Sequence, residues 1–436
     1  MKKTSLIICA SLFFTFHLSP FTSSAQDSNK VTVKPYGFIR NYFTFDSRRT
    51  YTVIGAEYNM QPYDVLWNED HTEDLNAVPS AQMQALTSRF GFAITGPRLW
   101  GMDLNGKLEG DFGGFGTNNH ELRLRLAYVK MSRRVGKEYS ELLVGQDWHP
   151  LSGDIMPEVL GMAAGAPFRP HSRTPQVRDV YYWGHFGYTA ALLWQLQYMN
   201  NGPKSASDPT STASLSYANN ALWPETFLGI NYKHDAWFVQ LGFDEQMLRP
   251  RTHAVINGKT KKVDETVYSM TPTIYAQYVK GMWSVKFRTL VAENTSHLNQ
   301  LCGYAVTGVN EDGSWSYAPI RNSISYLNIA YGHQYRCNLF LGYIKNLGAG
   351  SDLWNDPASG GYRIYMKGGQ EFTHMNSIYR IAPSFSYNVR VFNIGLEYEL
   401  TAASYGDINT DGSIIMDGNL RRVVNHRVCA LVKYNF

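Results

Sequence analysis

The chain has 436 residues, with 40 Lys and Arg against 36 Asp and Glu, 44% hydrophobic and 14% aromatic residues, and a formal net charge of +4. This small basic excess does not suggest a nucleic-acid partner, and so high an apolar content excludes a disordered chain. The one long apolar run, Leu6 to Leu18, is shorter than the roughly 20 residues that a membrane-spanning helix needs, which excludes a helical membrane protein.

The N-terminus has the residue order of a secretory signal peptide. Lys2 and Lys3 precede the apolar run, and the small residues Ser23, Ser24 and Ala25 follow it. We expect cleavage after Ala25, so that residues 1–25 are the signal peptide and residues 26–436 form the exported domain.

Polar and apolar side chains alternate along the chain that follows. In residues 101–112 the even positions carry Met, Leu and Phe, whereas every odd position from Asp103 to Asp111 is charged or an amide. Residues 121–128 repeat the pattern, which places Leu126 and Tyr128 on the apolar face and Arg123 and Arg125 on the polar one. A period of two predicts β-strands.

About sixteen such segments follow one another, and short connections such as 234–235 alternate with long ones such as 46–86. This rhythm predicts an all-β fold, a transmembrane antiparallel β-barrel of about 16 strands in the outer membrane of a Gram-negative cell, with short periplasmic turns and long extracellular loops. Pro272 and Pro383 fall inside two of the segments and predict either a wrong boundary or a bulge. The segments start near Val33, Thr87, Gly101, Glu121, Tyr139, Thr174, Tyr188, Thr226, Ala236, Thr266, Met282, Asn322, Tyr335, Asn376, Arg390 and Arg422.

The polar face of such a barrel surrounds the lumen. Charges are costly against lipid and tolerated in a hydrated pore, which predicts a water-filled lumen. The lumen-side charges have a modest basic excess, which favours small anionic solutes, although each residue considered alone is also explained by simple hydration of the wall. The candidate pore-lining residues of this face are Lys107, Glu109, Arg123, Arg125, Arg178 and Arg288.

The connection from Trp148 to Arg173 is the candidate constriction loop. Several prolines, an apolar middle from Ile155 to Ala166 and bases at its exit favour a segment folded into the barrel mouth. An ordinary surface loop is the alternative.

Five segments resemble the DcaP-like family of outer-membrane porins: Ser88–Phe92, Gly96–Gly116, Leu122–Met131, Glu141–Leu151 and Arg173–Arg178. The Gly-Gln-Asp-Trp motif before a proline-rich loop is the distinctive part. The resemblance covers about the N-terminal third of the mature chain. It implies a sixteen-stranded barrel, a homotrimer, diffusion of small and often anionic organic acids, and pore arginines at Arg123, Arg125, Arg173 and Arg178. Some members have a long helical segment before the barrel, and here only about Gln26–Lys30 precede it.

One motif suggests a metal ion. Asp407, Asn409 and Asp411 have the D-x-N-x-D-G order of a calcium loop, but Gly418 stands where the bidentate Glu is required, and a plain polar turn is the alternative. No other cofactor is expected.

We therefore expect a porin without catalytic residues, a passive channel for small hydrophilic solutes whose other partner is outer-membrane lipid. No hydrolase elbow, zinc-protease or nucleotide-binding motif was found in the sequence. A barrel enzyme and a structural or adhesive barrel are the alternatives, because triad residues need not be adjacent in sequence.

Overall fold

The computed structural model describes residues 30–53, 58–114, 121–152, 156–160, 165–206, 208–357 and 360–436. The predicted signal peptide, residues 1–25, lies outside the described residues. Among the described residues, no helix is both long and apolar enough to cross a bilayer.

Sixteen antiparallel strands form one closed sheet, which confirms the predicted barrel. Fifteen of the sixteen strands begin within two residues of their predicted starts, whereas β2, predicted to start near Thr87, begins seven residues earlier, at Ser80. The strands are β1 Thr32–Asp46, β2 Ser80–Gln84 continued by Arg89–Thr95, β3 Asp103–Asp111, β4 Arg123–Val135, β5 Glu138–Trp148, β6 Arg173–Trp183, β7 Phe186–Leu193, β8 Glu225–His234, β9 Trp237–Leu248, β10 Val267–Lys280, β11 Trp283–Glu293, β12 Arg321–Gly332, β13 Tyr335–Gly348, β14 Met375–Val389, β15 Phe392–Tyr405 and β16 Arg421–Asn435.

The second strand is interrupted. Both of its pieces pair with β1, the first with Tyr42–Asp46 and the second with Thr32–Phe38. Between them, the Ser88 hydroxyl accepts the backbone N–H of Arg40 at 3.0 Å, so a side chain replaces the missing ladder bond. The predicted loop 46–86 was therefore too long at its end, because residues 80–84 extend the barrel wall.

The barrel closes where β1 pairs with β16, so no strand edge is left unpaired in lipid. At the end of this seam, Gly37 and Phe436 exchange both backbone hydrogen bonds, at 3.1 and 3.0 Å. A Cβ atom on Gly37 would lie 2.5 Å from the Phe436 ring, so only glycine fits beside the final aromatic residue.

The outer surface is apolar, as contact with lipid requires. Large hydrophobic side chains on alternate residues are exposed on the outer face of the sheet all around the barrel, for example Ile39, Phe43 and Phe45 on β1. Aromatic pairs stand near the short turns, where Trp237 contacts Tyr278 and Trp283 contacts Tyr331 at ring-centroid distances of 4.9 and 4.7 Å. This arrangement matches an interfacial aromatic girdle.

A β-bulge in β4 corrects the predicted faces of that strand. Glu109 of β3 pairs with Leu126 and Gly110 pairs with Leu124, so Arg125 is an extra residue. Leu126 and Tyr128, expected on the lipid face, lie opposite Glu109 and Lys107 and face the lumen. The bulge lets Arg125 and Leu126 point inward in succession.

The side chain of Gln146 supports this bulge. Its Nε2 donates to the carbonyl oxygens of Leu124 and Arg125, both at 2.9 Å. We expect Gln146→Met to lower the free energy of unfolding by about 2 kcal/mol, because it keeps the volume and leaves the bulge carbonyl of Arg125 without this donor. Denaturant unfolding in detergent measures the change. Gln334→Met, at an exposed turn, serves as the control, and equal stability of the two variants would contradict the role of Gln146.

Both prolines lie inside strands, and neither marks a wrong boundary. On the β13 side, Pro383 pairs with Leu339. On the β15 side, Ile381 and Ser384 have partners, but the two residues between them, including Pro383, have none. Pro272 pairs with Phe243 of β9, and the ladder to β11 begins one residue later. The missing N–H groups are thus accommodated by gaps in the ladder, and no register shift occurs at either proline.

The hydrophobic core lies inside the outer half of the barrel. Four long loops pack there against the inner wall: L1 (47–79), L3 (149–172), L6 (294–320) and L7 (349–374). Tyr58 and Met60 of L1, Phe168 of L3 and Phe372 of L7 are among its fully buried members. The sequence analysis predicted an inward fold for L3 alone.

Candidate functional site

Loop L3 crosses the barrel interior. It leaves the wall at β5 and returns at β6, and its base is held by Ser152, whose hydroxyl donates to the carbonyl of Pro170 and accepts the N–H of Ser172. Its middle reaches the opposite wall, where the N–H of Glu158 donates to Asn328 of β12 and the N–H of Leu160 donates to Glu397 of β15.

Ion pairs hold the tip of L3 at that far wall. Glu158 accepts two hydrogen bonds from Arg336 of β13, at 2.5 and 2.8 Å, and lies 3.6 Å from Lys286 of β11. These cations outweigh the effect of burial and lower the pKa of Glu158, so the loop carboxylate stays ionised.

Arg380 of β14 joins L3 to L1. Its guanidinium donates to the carbonyls of Ala166 in L3 and of Asn59 and Met60 in L1, at 2.8 to 3.0 Å. The two loops therefore share one anchor, and L1 narrows the same cross-section of the lumen as L3.

The predicted pore residues Arg123, Arg125 and Glu109 come together with Asp111. Arg123 forms a bidentate ion pair with Asp111, with hydrogen bonds of 2.6 and 3.0 Å. Arg125 donates to Glu109 at 2.9 Å and to Asp111 at 2.8 Å. All four are buried. Their charges largely offset one another, so this network carries less free positive charge than the sequence suggested.

Arg173, at the start of β6, is fully buried beside L3. Its guanidinium lies 4.8 Å from the centre of the Trp148 ring and donates to Gln197 at 3.1 Å and to the Tyr198 hydroxyl at 3.3 Å. Its NH1 has no hydrogen-bond partner among the described residues. This leaves one buried guanidinium donor without a protein acceptor in that part of the chain.

His171 links this arginine cluster to L1. Its ring contacts Arg169 at 2.7 Å and the Tyr58 hydroxyl at 2.6 Å. Burial, together with the charges of Arg169 and Arg173, holds the pKa of His171 well below 6.5. The imidazole is thus neutral at physiological pH and adds no charge to the lumen.

The remaining predicted site residues are spread along the wall. Arg178 donates to Asp147 at 2.8 Å, Arg288 is buried and donates to the carbonyl of Leu151, and Lys107, in the middle of β3, lies 5.0 Å from the Tyr36 ring. The structure therefore does not bring all seven predicted residues into one site.

The Gly-Gln-Asp-Trp motif has a structural explanation. Gly145 has φ of +128°, and a Cβ atom there would lie 2.3 Å from the carbonyl oxygen of Ala127. Gln146 supports the bulge, Asp147 holds Arg178, and the Trp148 ring faces Arg173. The motif thus positions the wall residues at the base of L3.

A second group of cations is less compensated. Arg40 of β1 pairs directly with Lys433 of β16, and Arg89 of β2 pairs with Phe38. The three cations lie 4.8 to 5.1 Å from the centre of the Phe38 ring. Arg89 is 3.4 Å from Glu109, whereas Arg40 and Lys433 form no ion pair with any described residue. We call the set Arg40, Arg89, Lys107, Arg123, Arg125 and Lys433 the basic wall.

Tyr58, Tyr198 and Arg40 were not selected as candidate site residues. Arg40 occupies a polar position in the alternating pattern of β1, and this pattern does place it on the lumen face. The two tyrosines belong to loops L1 and L4 (194–224), and no local pattern marks a loop side chain that folds back to a distant wall.

The candidate calcium loop forms a tight turn. Oδ1 of Asp411 accepts the amide and hydroxyl hydrogens of Ser413 at 2.9 and 2.6 Å, and the N–H of Asn409 donates to the carbonyl of Ser413 at 2.8 Å. These bonds account for the turn, and a calcium site at Asp407, Asn409 and Asp411 stays a prediction.

A closed sixteen-stranded antiparallel barrel, with an apolar outer surface, short turns at one end and long loops at the other, is the architecture of an outer-membrane porin. The chain thus has the fold of a porin-type barrel, and its place is the outer membrane of a Gram-negative cell.

The comparison with solved structures agrees. The chain is similar to the outer membrane channel DcaP of Acinetobacter baumannii, with 17% identity, a TM-score of 0.61, and 93% of this chain and 97% of that chain covered. It is also similar to an anion-selective porin from Comamonas acidovorans (10% identity, TM-score 0.51, 93% and 100% covered) and to a trimer form of OmpT of Vibrio cholerae (11%, 0.50, 93% and 99%). The expected likeness to DcaP-like porins is confirmed at the level of the fold. No protein-family model and no curated protein matches the sequence.

Proposed function

We propose that the mature chain is a passive diffusion channel for small hydrophilic solutes that favours small organic anions. The observation that carries this proposal is the basic wall, where six cations on five adjacent strands face two carboxylates, Glu109 and Asp111. Cationic rings favour anions in a pore.

The pairing of Arg40 with Lys433 supports a functional reason for these charges. Like charges directly opposite each other on neighbouring strands are destabilising. Two such residues on the seam that closes the barrel therefore cost stability, and an anion in the lumen would relieve their repulsion. The similar porin from Comamonas acidovorans is described as anion-selective, which agrees with this reading.

Selection by size would come from L3. The loop crosses the lumen from β5 and β6 to β11–β15, and Arg380 ties L1 to it. Residues 148–173 would thus act as the constriction, with Arg173 on its basic side. We further propose that the protein works as a homotrimer, that residues 1–25 direct its export, and that it performs no catalytic step.

A planar-bilayer recording tests this proposal. We expect open-channel steps in groups of three and, in a KCl gradient, a reversal potential of the sign that anion selectivity gives. Strong cation selectivity would contradict the anion preference, and a protein that folds and inserts without any conductance would instead favour an adhesive barrel or a barrel enzyme.

A further inference from the structure

Four ionisable side chains from four segments of the chain meet in the outer half of the barrel. His149 begins L3, His297 lies in a short 3-10 turn of L6, and Glu225 and Asp244 belong to β8 and β9. All four are buried. Nε2 of His149 and Nε2 of His297 lie 2.8 and 2.9 Å from the same oxygen of Glu225, and Oδ1 of Asp244 lies 3.6 Å from Nε2 of His149.

We propose that these four side chains bind a divalent first-row transition-metal ion of the Zn²⁺ type. Imidazole nitrogens and carboxylate oxygens are the donors that such ions take in proteins. Tetrahedral coordination at metal–donor distances of about 2.0–2.1 Å separates the donor atoms by about 3.3 Å. The donor atoms of His149, Glu225 and His297 all lie within 4.8 Å of one another, so small side-chain movements complete the geometry.

The charges of the cluster match a divalent cation. Oδ1 of Asp244 has no hydrogen-bond partner among the described residues, and a buried carboxylate needs a compensating positive charge or proton. The basic residue of the adjoining wall is Arg288, which donates to the carbonyl of Leu151 and forms no ion pair with Glu225 or Asp244 in the part of the chain that the structure describes. The two carboxylates together neutralise an ion of charge +2.

A cavity of about 290 Å³ adjoins the cluster at Glu225. The cavity is lined by Trp194, Leu222 and Trp223, which are exposed at the outer rim, and it extends to Glu225 and Gln246. Gln246 Nε2 lies 3.3 Å from Nε2 of His297, so the inner end of the cavity adjoins the proposed ligands.

Metal binding would act on L3. The N–H of Leu151 donates to Nδ1 of His149 at 3.1 Å, which leaves the ring proton on Nε2, where it is donated to Glu225. When a metal ion takes Nε2, this proton moves to Nδ1, and the Leu151 amide has to turn away. Occupation of the site is therefore coupled to the first residues of the loop that crosses the lumen.

The test is calorimetric titration of the EDTA-treated, detergent-solubilised mature protein with ZnCl₂. We expect one ion per chain, an increase of Tm on binding, and a loss of affinity of at least about tenfold in His297→Ala and in Glu225→Gln, since each removes a ligand. The matched control is the double variant His185→Ala, His234→Ala, which removes an exposed histidine pair with ring centroids 4.3 Å apart at the periplasmic end. That variant should bind as the wild type does.

Two results would overturn the proposal: no binding by the wild type, or binding that disappears only in the His185 and His234 variant. Heat-modified electrophoretic mobility shows whether each variant has a folded barrel. If the ligand variants do not fold, the visible spectrum of the wild type with Co²⁺ decides, because four-coordinate bands support the site and a six-coordinate spectrum refutes it. The outcome does not depend on whether the channel prefers anions.

Discussion

Deletion of residues 153–166, with Ser152 joined to Pro167 by two glycines, is expected to raise the single-channel conductance at least about twofold. A barrel of sixteen strands leaves an aqueous channel wherever loops do not occupy it. The deletion removes Glu158, which forms ion pairs with Arg336 and Lys286 on the wall opposite the base of the loop. The base of the loop survives, because the Ser152 hydroxyl still bonds to Pro170 and Ser172.

The matched control is deletion of the exposed hairpin His253–Lys262. Its flanking residues are already adjacent, since the N–H of Val263 donates to the carbonyl of Thr252 at 3.1 Å. This variant should conduct as the wild type does. Unchanged conductance after removal of 153–166 would show that L3 does not limit the pore.

The double substitution Arg40→Gln, Lys433→Gln is expected to lower the ratio of anion to cation permeability roughly threefold at 0.1 M salt. In water, a unit charge about 10 Å from a permeating ion changes the free energy of that ion by about 0.4 kcal/mol before salt screening. At 0.1 M salt the screening length is also about 10 Å, so screening reduces this energy. Neither residue has an ion-pair partner among the described residues, so both charges act on the solute. Reversal potentials in a KCl gradient measure the ratio, and the effect should grow as salt is diluted.

Arg98→Gln, Lys280→Gln makes the matched control, because it changes the net charge equally. Both residues are exposed at short turns and pair with Asp103 and Asp235, at 3.0 and 2.9 Å. If this control shifts the reversal potential as much as the loss of Arg40 and Lys433, overall charge and not the basic wall sets the selectivity.

The sequence was sufficient to predict the barrel, because the pattern that defines each strand lies within a short stretch of neighbouring residues. A strand between lipid and water needs alternate apolar and polar side chains, and the alternation located fifteen of the sixteen starts within two residues, the exception being β2. The same parity placed Lys107, Arg123 and Arg288 on the lumen face, where the structure has them.

What the sequence did not predict depends on contacts between distant segments. The bulge at Arg125 was missed, although the apolar residues of β4 change parity between Leu124 and Val129, which is a signal of an extra residue. The burial of Arg123 and Arg173 by Tyr198 could not be foreseen, because L4 has no pattern that indicates which wall it contacts. For the same reason, the meeting of His149 with His297 follows only from the packing of L3 and L6.

The inserted position in β4 also bears on how such channels diversify. If Arg125 were lost, Leu124 would still face outward and Leu126 inward, so every other side chain of the strand would keep its orientation. Insertion or deletion of this one residue can therefore add or remove a guanidinium next to Glu109 without changing the face on which the other side chains of β4 lie. Related barrels can gain or lose a charge at this height by insertion, and an alignment that forbids gaps inside strands would conceal it.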